Sequence, residues 1–317
     1  MSTAQISVVV IGSLNMDFVM EVAQLPLRGE TVPGRGFVTL SGGKGANQAC
    51  AVGRLLGRPG GAMVGCVGED LLGHRLVESL QAAGIDTGWV RVMPEAPTGV
   101  AMIVVETGGQ NQIVVSPGAN DCLGPEEATA ALTALGGSHL LLQLETPLAT
   151  VEAAARHARS LGMTVILDPA PARPLPAALL QCVDLLTPNE SEALALAELG
   201  GSRIELSEAP AIAARLRARG PEQVILKLGE QGAYVMDGTG GRHFPARRVT
   251  ATDATAAGDC FNGALAAGLA DGMGLAQAVE FAIAAASISV TRRGAQASIP
   301  DRREVDSLID AAREERT

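Results

Sequence analysis

Residues 139–168, HLLLQLETPLATVEAAARHARSLGMTVILD, decide the fold class, because two short apolar runs enclose a longer helical pattern. The runs HLLLQLE (139–145) and MTVILD (163–168) are almost continuously apolar. Such runs are typical of strands that helices cover on both faces, which is the arrangement found in parallel sheets. The stretch therefore predicts a strand, a helix and a second strand of a parallel sheet.

The same alternation extends through most of the chain. Further apolar runs that predict strands are ISVVVIG (6–12), AMVGCVG (62–68), VDLLTP (183–188) and QVILKLG (223–229). We therefore predict an α/β fold with a mostly parallel sheet flanked by helices. Ligands of such sheets lie beyond the carboxyl ends of the strands. Polar residues follow most of these strands and should meet at that edge: Asn15, Asp17, Glu145, Asp168 and Asn189.

Two stretches interrupt the alternation. Residues 17–41 and 97–116 contain β-rich runs with Gly-Gly or Pro-Gly punctuation, which predicts hairpins. The clearest hairpin is centred on Gly108 and Gly109. The two stretches could form a separate β layer, and an additional apolar β surface either covers a cleft or pairs with another subunit.

Composition excludes several classes of function. The 317 residues contain 24 Lys and Arg against 34 Asp and Glu, so the net charge of −10 provides no basic field to gather nucleic acid or an anionic membrane surface. The five cysteines are widely spaced and form no C-x-x-C pair, which suits reduced thiols in a cytoplasmic protein. The first apolar run is too short for a signal peptide or a membrane span.

The stretch TDATAAGDCFNGALAAGL (252–269) predicts a small-residue helix that begins near Ala256 to Gly258, with Thr255 as the candidate cap. Small side chains leave the first amides accessible, so Ala256, Ala257 and Gly258 outline an anion cradle. Asp259 could accept a proton from a nucleophile, or it could merely complement the helix dipole. Because a helix start stabilises a carboxylate, we expect Asp259 to be a weak base, which suits phosphoryl transfer.

The stretch SGGKGANQA (41–49) places a lysine in a glycine-rich helix entry. It lacks the G-x-x-x-x-G-K-[ST] spacing of a Walker A loop. Alone, such an entry is more often a tight turn than a site. Lys44 and Asn47 can nevertheless hydrogen-bond hydroxyl groups, as can Asn15 and Asp17 of GSLNMD (12–17). This mixture of donors and acceptors indicates a polyol ligand.

Two later stretches carry weaker signals. In TPNESEA (187–193), Asn189 and Glu192 either cap a helix and face solvent, or form a water-mediated magnesium and phosphate site. In KLGEQGA (227–233), Gly229 and Gly232 flank either a plain hairpin turn or a nucleotide-phosphate loop.

Six motifs together resemble the ribokinase family of carbohydrate kinases, in the same order and over nearly the whole chain. They are GSLNMD, SGGKGANQA, TPNESEA, KLGEQG, DATAAGDCFNGAL and TRRGAQASIP. The resemblance implies one Rossmann-like α/β domain over residues 1–317, with the strands of a small β-sheet lid inserted at about 17–41 and 97–116. It also implies ATP and Mg²⁺ as cosubstrates, transfer of the γ-phosphate to the 5-hydroxyl of D-ribose to give D-ribose 5-phosphate, and a homodimer formed through the lid.

The resemblance assigns roles to the residues that match the family's motifs. Asp259 is the implied base, and the amides of Ala256, Ala257 and Gly258 are the implied anion hole. The implied sugar-binding residues are Asn15, Asp17, Gly43, Lys44, Asn47, Glu145 and Asp259. The implied nucleotide-binding residues are Asn189, Glu192, Lys227, Leu228, Gly229, Glu230, Gln231, Gly232 and Gly258, with Glu192 ordering the magnesium waters. The implied K⁺ site consists of carbonyls of Asp253, Thr255, Ser289, Arg292 and Gly294, together with Ser298.

The sequence departs from the family pattern at two positions and leaves rival functions to weigh. Ala254 stands where the family usually has Thr, and Ile283 stands where ribokinases can carry a histidine beside adenine.

Related kinases act on fructose, deoxyribose or nucleosides. An NAD-dependent dehydrogenase is disfavoured because no G-x-G-x-x-G follows the first strand. An inactive sugar-binding regulator is disfavoured because Asp259 and Lys44 are both present.

Overall fold

The computed structural model describes residues 5–108 and 110–314, so Gly109 of the expected hairpin lies outside the described residues. The strands of this part are β1 (Val8–Ile11), β2 (Asn15–Val22), β3 (Gly34–Gly42), β4 (Gly61–Gly68), β5 (Ile85–Met93), β6 (Gly99–Glu106), β7 (Asn111–Ser116), β8 (His139–Leu142), β9 (Thr164–Leu167), β10 (Leu185–Leu186), β11 (Gln223–Lys227), β12 (Ala233–Met236) and β13 (Gly241–Phe244). The helices are α1 (Lys44–Leu55), α2 (Leu71–Ala82), α3 (Pro125–Leu135), α4 (Leu148–Ser160), α5 (Ala177–Leu180), α6 (Glu190–Leu196), α7 (Ala209–Arg217), α8 (Ala257–Ala270), α9 (Leu275–Ser289) and α10 (Arg302–Glu314).

The larger sheet has the order β13-β12-β11-β10-β9-β8-β1-β4-β5. From β11 to β5 neighbouring strands are parallel, whereas β12 and β13 pair antiparallel at one edge. The predicted α/β fold with a mostly parallel sheet is therefore confirmed. Strand β8 ends at Leu142, earlier than the apolar run suggested, so Gln143 and Glu145 lie beyond its carboxyl end.

The core is divided between the two faces of this sheet. In β1, Val8 and Val10 belong to one buried cluster, and Val9 and Ile11 belong to the other, because successive side chains of a strand point to opposite faces. Helices α1, α8 and α9 cover the first face, and α3, α4 and α7 cover the second. Gly263 of α8 lies so close to α1 that a Cβ atom there would clash with Ala51. The small residues thus bring α8 close to α1.

A smaller sheet has the order β3-β2-β6-β7. Its two antiparallel hairpins, β2–β3 and β6–β7, join through the parallel pair β2–β6. The expected separate β layer is therefore present. Several large apolar side chains of this sheet are exposed, including Phe37 and Val114, which are 57% and 70% exposed. This leaves an apolar surface that the described part of the chain does not cover.

None of the helices in residues 5–108 and 110–314 combines the length and the apolar composition that crossing a bilayer would require.

The junction between β3 and α1 depends on Gly43. Its φ of +87° is in the left-handed region, and a Cβ atom there would lie 2.6 Å from the amide nitrogen of Asn15 and 2.9 Å from the carbonyl oxygen of Ser13. A side chain at this position therefore meets backbone, which cannot move away without shifting the end of β1. This packing holds the first turn of α1 against the start of β2.

Gly43→Ala should lower the free energy of unfolding by about 1–3 kcal/mol, because it combines an unfavourable φ with backbone contact. Gly136→Ala is the matched control, because Gly136 also has a positive φ (+64°) but has no heavy atom within 4 Å of the added Cβ. Urea denaturation of both variants measures the difference. An equal loss in the two proteins would contradict a role for the close approach at Gly43.

Candidate active site

A polar cleft of about 430 Å³ lies at the carboxyl ends of the central strands. Both lysines of the chain, Lys44 and Lys227, line it. Other residues that line the cleft are Asp168, Asn189, Glu192, Gly229, Ala254, Ala256, Ala257, Gly258 and Asp259. The cleft thus brings the first turn of α8 together with the first residue of α1, the start of α6 and the end of β11.

Helix α8 begins at Ala257, within the expected range, but Thr255 does not cap it. The Thr255 hydroxyl donates instead to Asp253 Oδ1 at 2.6 Å, so the expectation of a Thr255 cap is wrong. Ala256 precedes the helix with a left-handed φ of 58°, and no side chain caps this end. The amide of Ala257 makes a 3.2 Å turn bond to the carbonyl of Ala254. The helix start therefore faces the cleft with backbone and methyl groups alone.

Asp259 is 6% exposed, and its two carboxylate oxygens have different partners. Oδ2 accepts a hydrogen bond from Asn47 Nδ2 at 3.0 Å, and Oδ1 accepts one from Gln48 Nε2 at 3.0 Å. Burial raises the pKa of Asp259 to about 6, although Lys44 and these hydrogen bonds oppose the rise. The expectation that the helix start makes Asp259 a weak base is therefore wrong, because burial raises the pKa of this carboxyl group.

Lys44 places a positive charge among the carboxylates of the first cleft. Burial alone would lower its pKa, but the carboxylates of Asp259, Asp168 and Glu145 raise it above its usual value. The Lys44 amide also donates to Glu145 Oε2 at 3.1 Å, and the same oxygen accepts from the Ser13 hydroxyl at 2.6 Å. The lysine therefore carries a positive charge at neutral pH.

Asp17 of β2 faces the same group of charges. Burial, together with the charges of Glu145 and Asp259, raises its pKa to about 7, and Lys44 opposes this rise. In the unfolded chain an aspartate titrates near 3.8. The folded protein therefore binds a proton at Asp17 more tightly than the unfolded chain does.

This difference predicts a pH-dependent stability. Between about pH 4 and pH 7 the folded state keeps the Asp17 proton that the unfolded state loses, so wild-type stability falls as pH rises through this window. Asp17→Asn removes that loss, and its melting temperature should exceed that of the wild type by several degrees at about pH 8 and match it near pH 4. Thermal unfolding across this range tests the expectation, with the exposed Asp121→Asn as control. A difference that does not change with pH would contradict it.

Asn15 is held by a residue that the sequence did not single out. Asn120 is 1% exposed and donates from Nδ2 to Asn15 Oδ1 at 2.8 Å, while its own Oδ1 accepts from the Leu14 amide at 2.8 Å. Because the Asn15 oxygen is occupied, the Asn15 amide NH₂ remains to donate to a ligand. Asn120 thus orients a residue expected to bind sugar.

A second cleft of about 590 Å³ adjoins the first and has a more apolar lining. Its lining includes Phe261, Ile283 and Val290, together with Gly229 and Gly258. Residues of the expected nucleotide loop that line this cleft are Lys227, Gly229, Glu230 and Gly232. Two others point elsewhere: Leu228 is buried in the core, and Gln231 Nε2 donates to the carbonyl of Ile204 at 2.9 Å. The loop therefore presents Lys227, Glu230 and its two glycines to the cleft, but not the side chains of Leu228 and Gln231.

Asn189 and Glu192 form a reciprocal capping box at the start of α6. Asn189 Oδ1 accepts from the Glu192 amide at 2.9 Å, and Glu192 Oε2 accepts from the Asn189 amide at 2.8 Å. Glu192 is buried, and this burial raises its pKa above the usual value. The expectation that Asn189 caps the helix is thus confirmed, whereas the alternative of a solvated Glu192 is wrong because that side chain is buried. Both residues also line the first cleft.

The residues of the expected K⁺ site lie in the loop before α8, at the end of α9 and in the loop that follows α9, and these segments contact each other. Asp253 Oδ2 accepts from the Gly294 amide at 2.9 Å, and the Ser289 and Ser298 hydroxyls are hydrogen-bonded at 2.8 Å. The Arg292 side chain pairs with Glu304. Within the described residues, no group of three or more His, Cys, Asp or Glu side chains is arranged to hold a metal. Any cation between these loops would therefore depend on backbone carbonyls.

The pfkB family of carbohydrate kinases matches residues 5–302 of the chain. The chain belongs to this family. A ribokinase from Schizosaccharomyces pombe is 41% identical over 313 residues and covers 96% of this chain and 98% of its own. The structure of ribokinase from Thermotoga maritima has a TM-score of 0.86 at 40% identity and covers 96% of this chain and 99% of that one. The structure of Arabidopsis thaliana ribokinase complexed with ribose and ATP has a TM-score of 0.86 at 32% identity, with the same coverage.

The clefts of this pfkB kinase suit the groups that the family uses. The first cleft has two lysines and an uncapped helix start, which suit phosphate oxygens, and the second has an apolar lining, which suits a purine ring. Asn47 Oδ1 is buried beside Asp259 and has no hydrogen-bond partner among the residues that the structure describes, which fits a sugar hydroxyl as donor. Mg²⁺ prefers oxygen ligands and commonly keeps several waters, so it also fits the first cleft, which Asp168, Glu190, Glu192 and Asp259 line.

The sequence did not identify two residues that are central to this kinase site. Gln48 lies within a quoted motif but received no role, and Asp168 was placed at the sheet edge without a role in the site. Gln48 donates to Asp168 as well as to Asp259, and Asp168 pairs with Lys227 at 2.8 Å. The sequence signal for Gln48 was a glutamine among the small residues of α1. The signal for Asp168 was its position directly after the apolar run of β9.

Proposed function

We propose that this pfkB kinase transfers the γ-phosphate of ATP to the 5-hydroxyl of D-ribose, which yields D-ribose 5-phosphate and ADP. The observation that carries the proposal is the position of Asp259. Its carboxylate lies in the first turn of an uncapped helix that faces the cleft, and it contacts Asn47, a residue expected to bind sugar. The similarity to ribokinases over nearly the full length supports ribose as the substrate.

In the proposed reaction Asp259 accepts the proton of the 5-hydroxyl as that oxygen bonds to the γ-phosphorus and the bond to ADP breaks. A pKa of about 6 leaves the carboxylate ionised at neutral pH and makes it a better base than an exposed aspartate. The start of α8, at Ala256, Ala257 and Gly258, would stabilise the charge of the transferring group. Lys227 would add a positive charge, because its ammonium lies 3.4 Å from the point that a Cβ atom on Gly258 would occupy.

The remaining site assignments rest on the resemblance to the family's motifs. The sugar would be held by Asn15, Asp17, Gly43, Lys44, Asn47 and Glu145. The nucleotide would lie along Asn189, Lys227, Gly229, Glu230, Gly232 and Gly258, with Ile283 against the adenine. Leu228 and Gln231 would contribute through backbone only, since their side chains point away from the cleft. Glu192 would order magnesium waters from within its capping box.

We further propose that residues 1–317 form one domain in which the small sheet acts as a lid over the sugar. Asn15 and Asp17 lie on β2 of that sheet, which links sugar contact to lid position. The exposed apolar side chains of β7, Ile113, Val114 and Val115, support pairing of two lids in a homodimer. The five free cysteines support a cytoplasmic location.

A potassium ion is proposed between the loops that carry Asp253, Thr255, Ser289, Arg292, Gly294 and Ser298. These loops adjoin the start of α8, so a bound cation would stiffen the anion cradle without contacting sugar. Exchange of K⁺ for Na⁺ should lower kcat while circular dichroism stays unchanged. Equal rates in the two salts would remove the cation from the proposal.

The decisive experiment is ATP turnover with a panel of D-ribose, 2-deoxyribose, fructose and a nucleoside. Mass spectrometry of the product should show a single added phosphate, and NMR should place it on the 5-oxygen. Ribose is expected to have the highest kcat/KM. A higher value for deoxyribose or fructose would reassign the substrate, and ribose binding without turnover would favour an inactive sugar-binding regulator.

A further inference from the structure

One buried amide joins the two carboxylates at the base of the cleft. Gln48 Nε2 donates to Asp259 Oδ1 at 3.0 Å and to Asp168 Oδ2 at 2.8 Å. An amide nitrogen carries two hydrogens, so each carboxylate can receive one of them. Gln48 is fully buried, so solvent does not compete for these bonds.

The orientation of this amide is fixed from its other end. Gln143 Nε2 donates to Gln48 Oε1 at 2.6 Å, which leaves the NH₂ group of Gln48 facing the carboxylates. Gln143 is itself fully buried beyond β8. It has room there because Gly12 has no side chain, and a Cβ atom at Gly12 would clash with the Gln143 amide.

Through Asp168 and Lys227, the hydrogen bonds of Gln48 extend to the second cleft, where we propose that the nucleotide binds. Asp168 Oδ1 accepts from Lys227 Nζ at 2.8 Å, and both side chains of this ion pair are largely buried. Lys227 lines both clefts and lies beside Gly258. A continuous chain of hydrogen bonds therefore runs from Asp259 through Gln48 and Asp168 to Lys227.

We propose that Gln48 is a positioning residue that ties the proton-accepting carboxylate of Asp259 to the Asp168–Lys227 ion pair, and that Gln143 fixes the amide orientation that serves both carboxylates. The inference rests on the proposed kinase function. The Gln48 hydrogen bond favours the ionised form of Asp259 and opposes the rise in its pKa that burial causes. It also holds one carboxylate oxygen, so that the other is presented toward Asn47 and the sugar side of the cleft.

The ionisable groups that face Asp259 come from several elements. Lys44 of α1 lowers its pKa, and Asp168, after β9, raises it. Asp17 of β2 and Cys260 of α8 also interact with its charge. Because Lys44, Asp17 and Cys260 are unchanged by a substitution at Gln48, a shift in the Asp259 titration reports the loss of the amide link.

Gln48→Met keeps the length of the side chain and removes both amide groups. The pKa of Asp259 should rise by about one unit, because a hydrogen bond to the ionised form is lost. Carboxyl carbon NMR of ligand-free, aspartate-labelled protein measures this directly, with the Asp259 signal assigned by Asp259→Asn. In turnover, the acidic limb of kcat/KM against pH should move up by the same amount. Gln223→Met, at the opposite end of β11 from Lys227, is the control and should leave both titrations unchanged.

Gln143→Met tests whether Gln143 fixes the orientation of the Gln48 amide. Its Asp259 titration can also be measured if Gln48→Met fails to fold. It should shift the Asp259 titration in the same direction by a smaller amount, because it acts only through the orientation of Gln48. The double variant should match Gln48→Met alone, since neighbours in one network are not additive. An unmoved Asp259 titration in Gln48→Met, or additive shifts in the double variant, would overturn the inference. Wild-type protein that fails to phosphorylate ribose would overturn the proposed function and leave the NMR test intact.

Discussion

Asp259→Asn should lower kcat by at least about a hundredfold, because the amide cannot take up the proton of the attacking hydroxyl. The affinities for sugar and nucleotide should stay within a few-fold of wild type, since the asparagine has the same shape and its Oδ1 can still accept a hydrogen bond from Gln48 or Asn47. Stopped-flow or coupled-assay rates give kcat, and calorimetry gives the two affinities. The contrast between them separates loss of a base from loss of the binding site.

The matched control is Asp121→Asn, which makes the same change at an exposed position. It should leave kcat unchanged. Near-normal turnover in Asp259→Asn would show that the proton goes elsewhere, and the assignment of the base would have to be abandoned. Loss of ribose affinity in parallel with loss of kcat would indicate a binding role for this carboxylate.

Lys44→Met should lower kcat/KM at neutral pH by roughly a hundredfold, the scale expected when one electrostatic group is removed from a dry site. The ammonium lowers the pKa of both Asp17 and Asp259. Without it, burial raises both values further and a larger share of Asp259 is protonated near pH 7. Part of the lost rate should therefore return as pH rises. A loss that is the same at every pH would contradict this electrostatic role.

Lys44→Arg separates charge from shape. It keeps the positive charge, so the acidic limb of the pH profile should remain near its wild-type position. The guanidinium is planar and larger than an ammonium, so ribose affinity should still fall. Calorimetric titration with ribose measures that fall in the absence of turnover.

The sequence predicted the fold well because apolar runs of four to eight residues are a local signal. The run around β8 and β9 predicted a parallel pair, and the structure contains it. The strand ends were less accurate, since β8 stops before Gln143. Where a strand ends depends on which backbone groups find partners across the sheet, and that information is not local.

The site was predictable only in part. Motif positions located Lys44 and Asp259, but the contacts that set their chemistry join segments far apart in the chain. Gln143 donates to Gln48 across 95 positions, and Asn120 donates to Asn15 across 105. The Thr255 cap was a reasonable local expectation, yet the Thr255 hydroxyl donates its hydrogen bond to the nearby carboxylate of Asp253. Local sequence patterns thus predicted the helices and strands, whereas the hydrogen bonds between site residues depend on contacts between distant segments.

The left-handed backbone conformation of Ala256 affects both the stability of the protein and the freedom of the backbone before α8. A non-glycine residue with a φ of 58° costs about 1–2 kcal/mol of folding free energy, and glycine would avoid that cost. Yet glycine would also let the peptide planes before α8 rotate freely in the empty enzyme. Alanine at this position therefore gives up some folding free energy for a backbone with fewer accessible conformations at the start of α8, which matters for catalysis if that start holds the transferring phosphoryl group as proposed above.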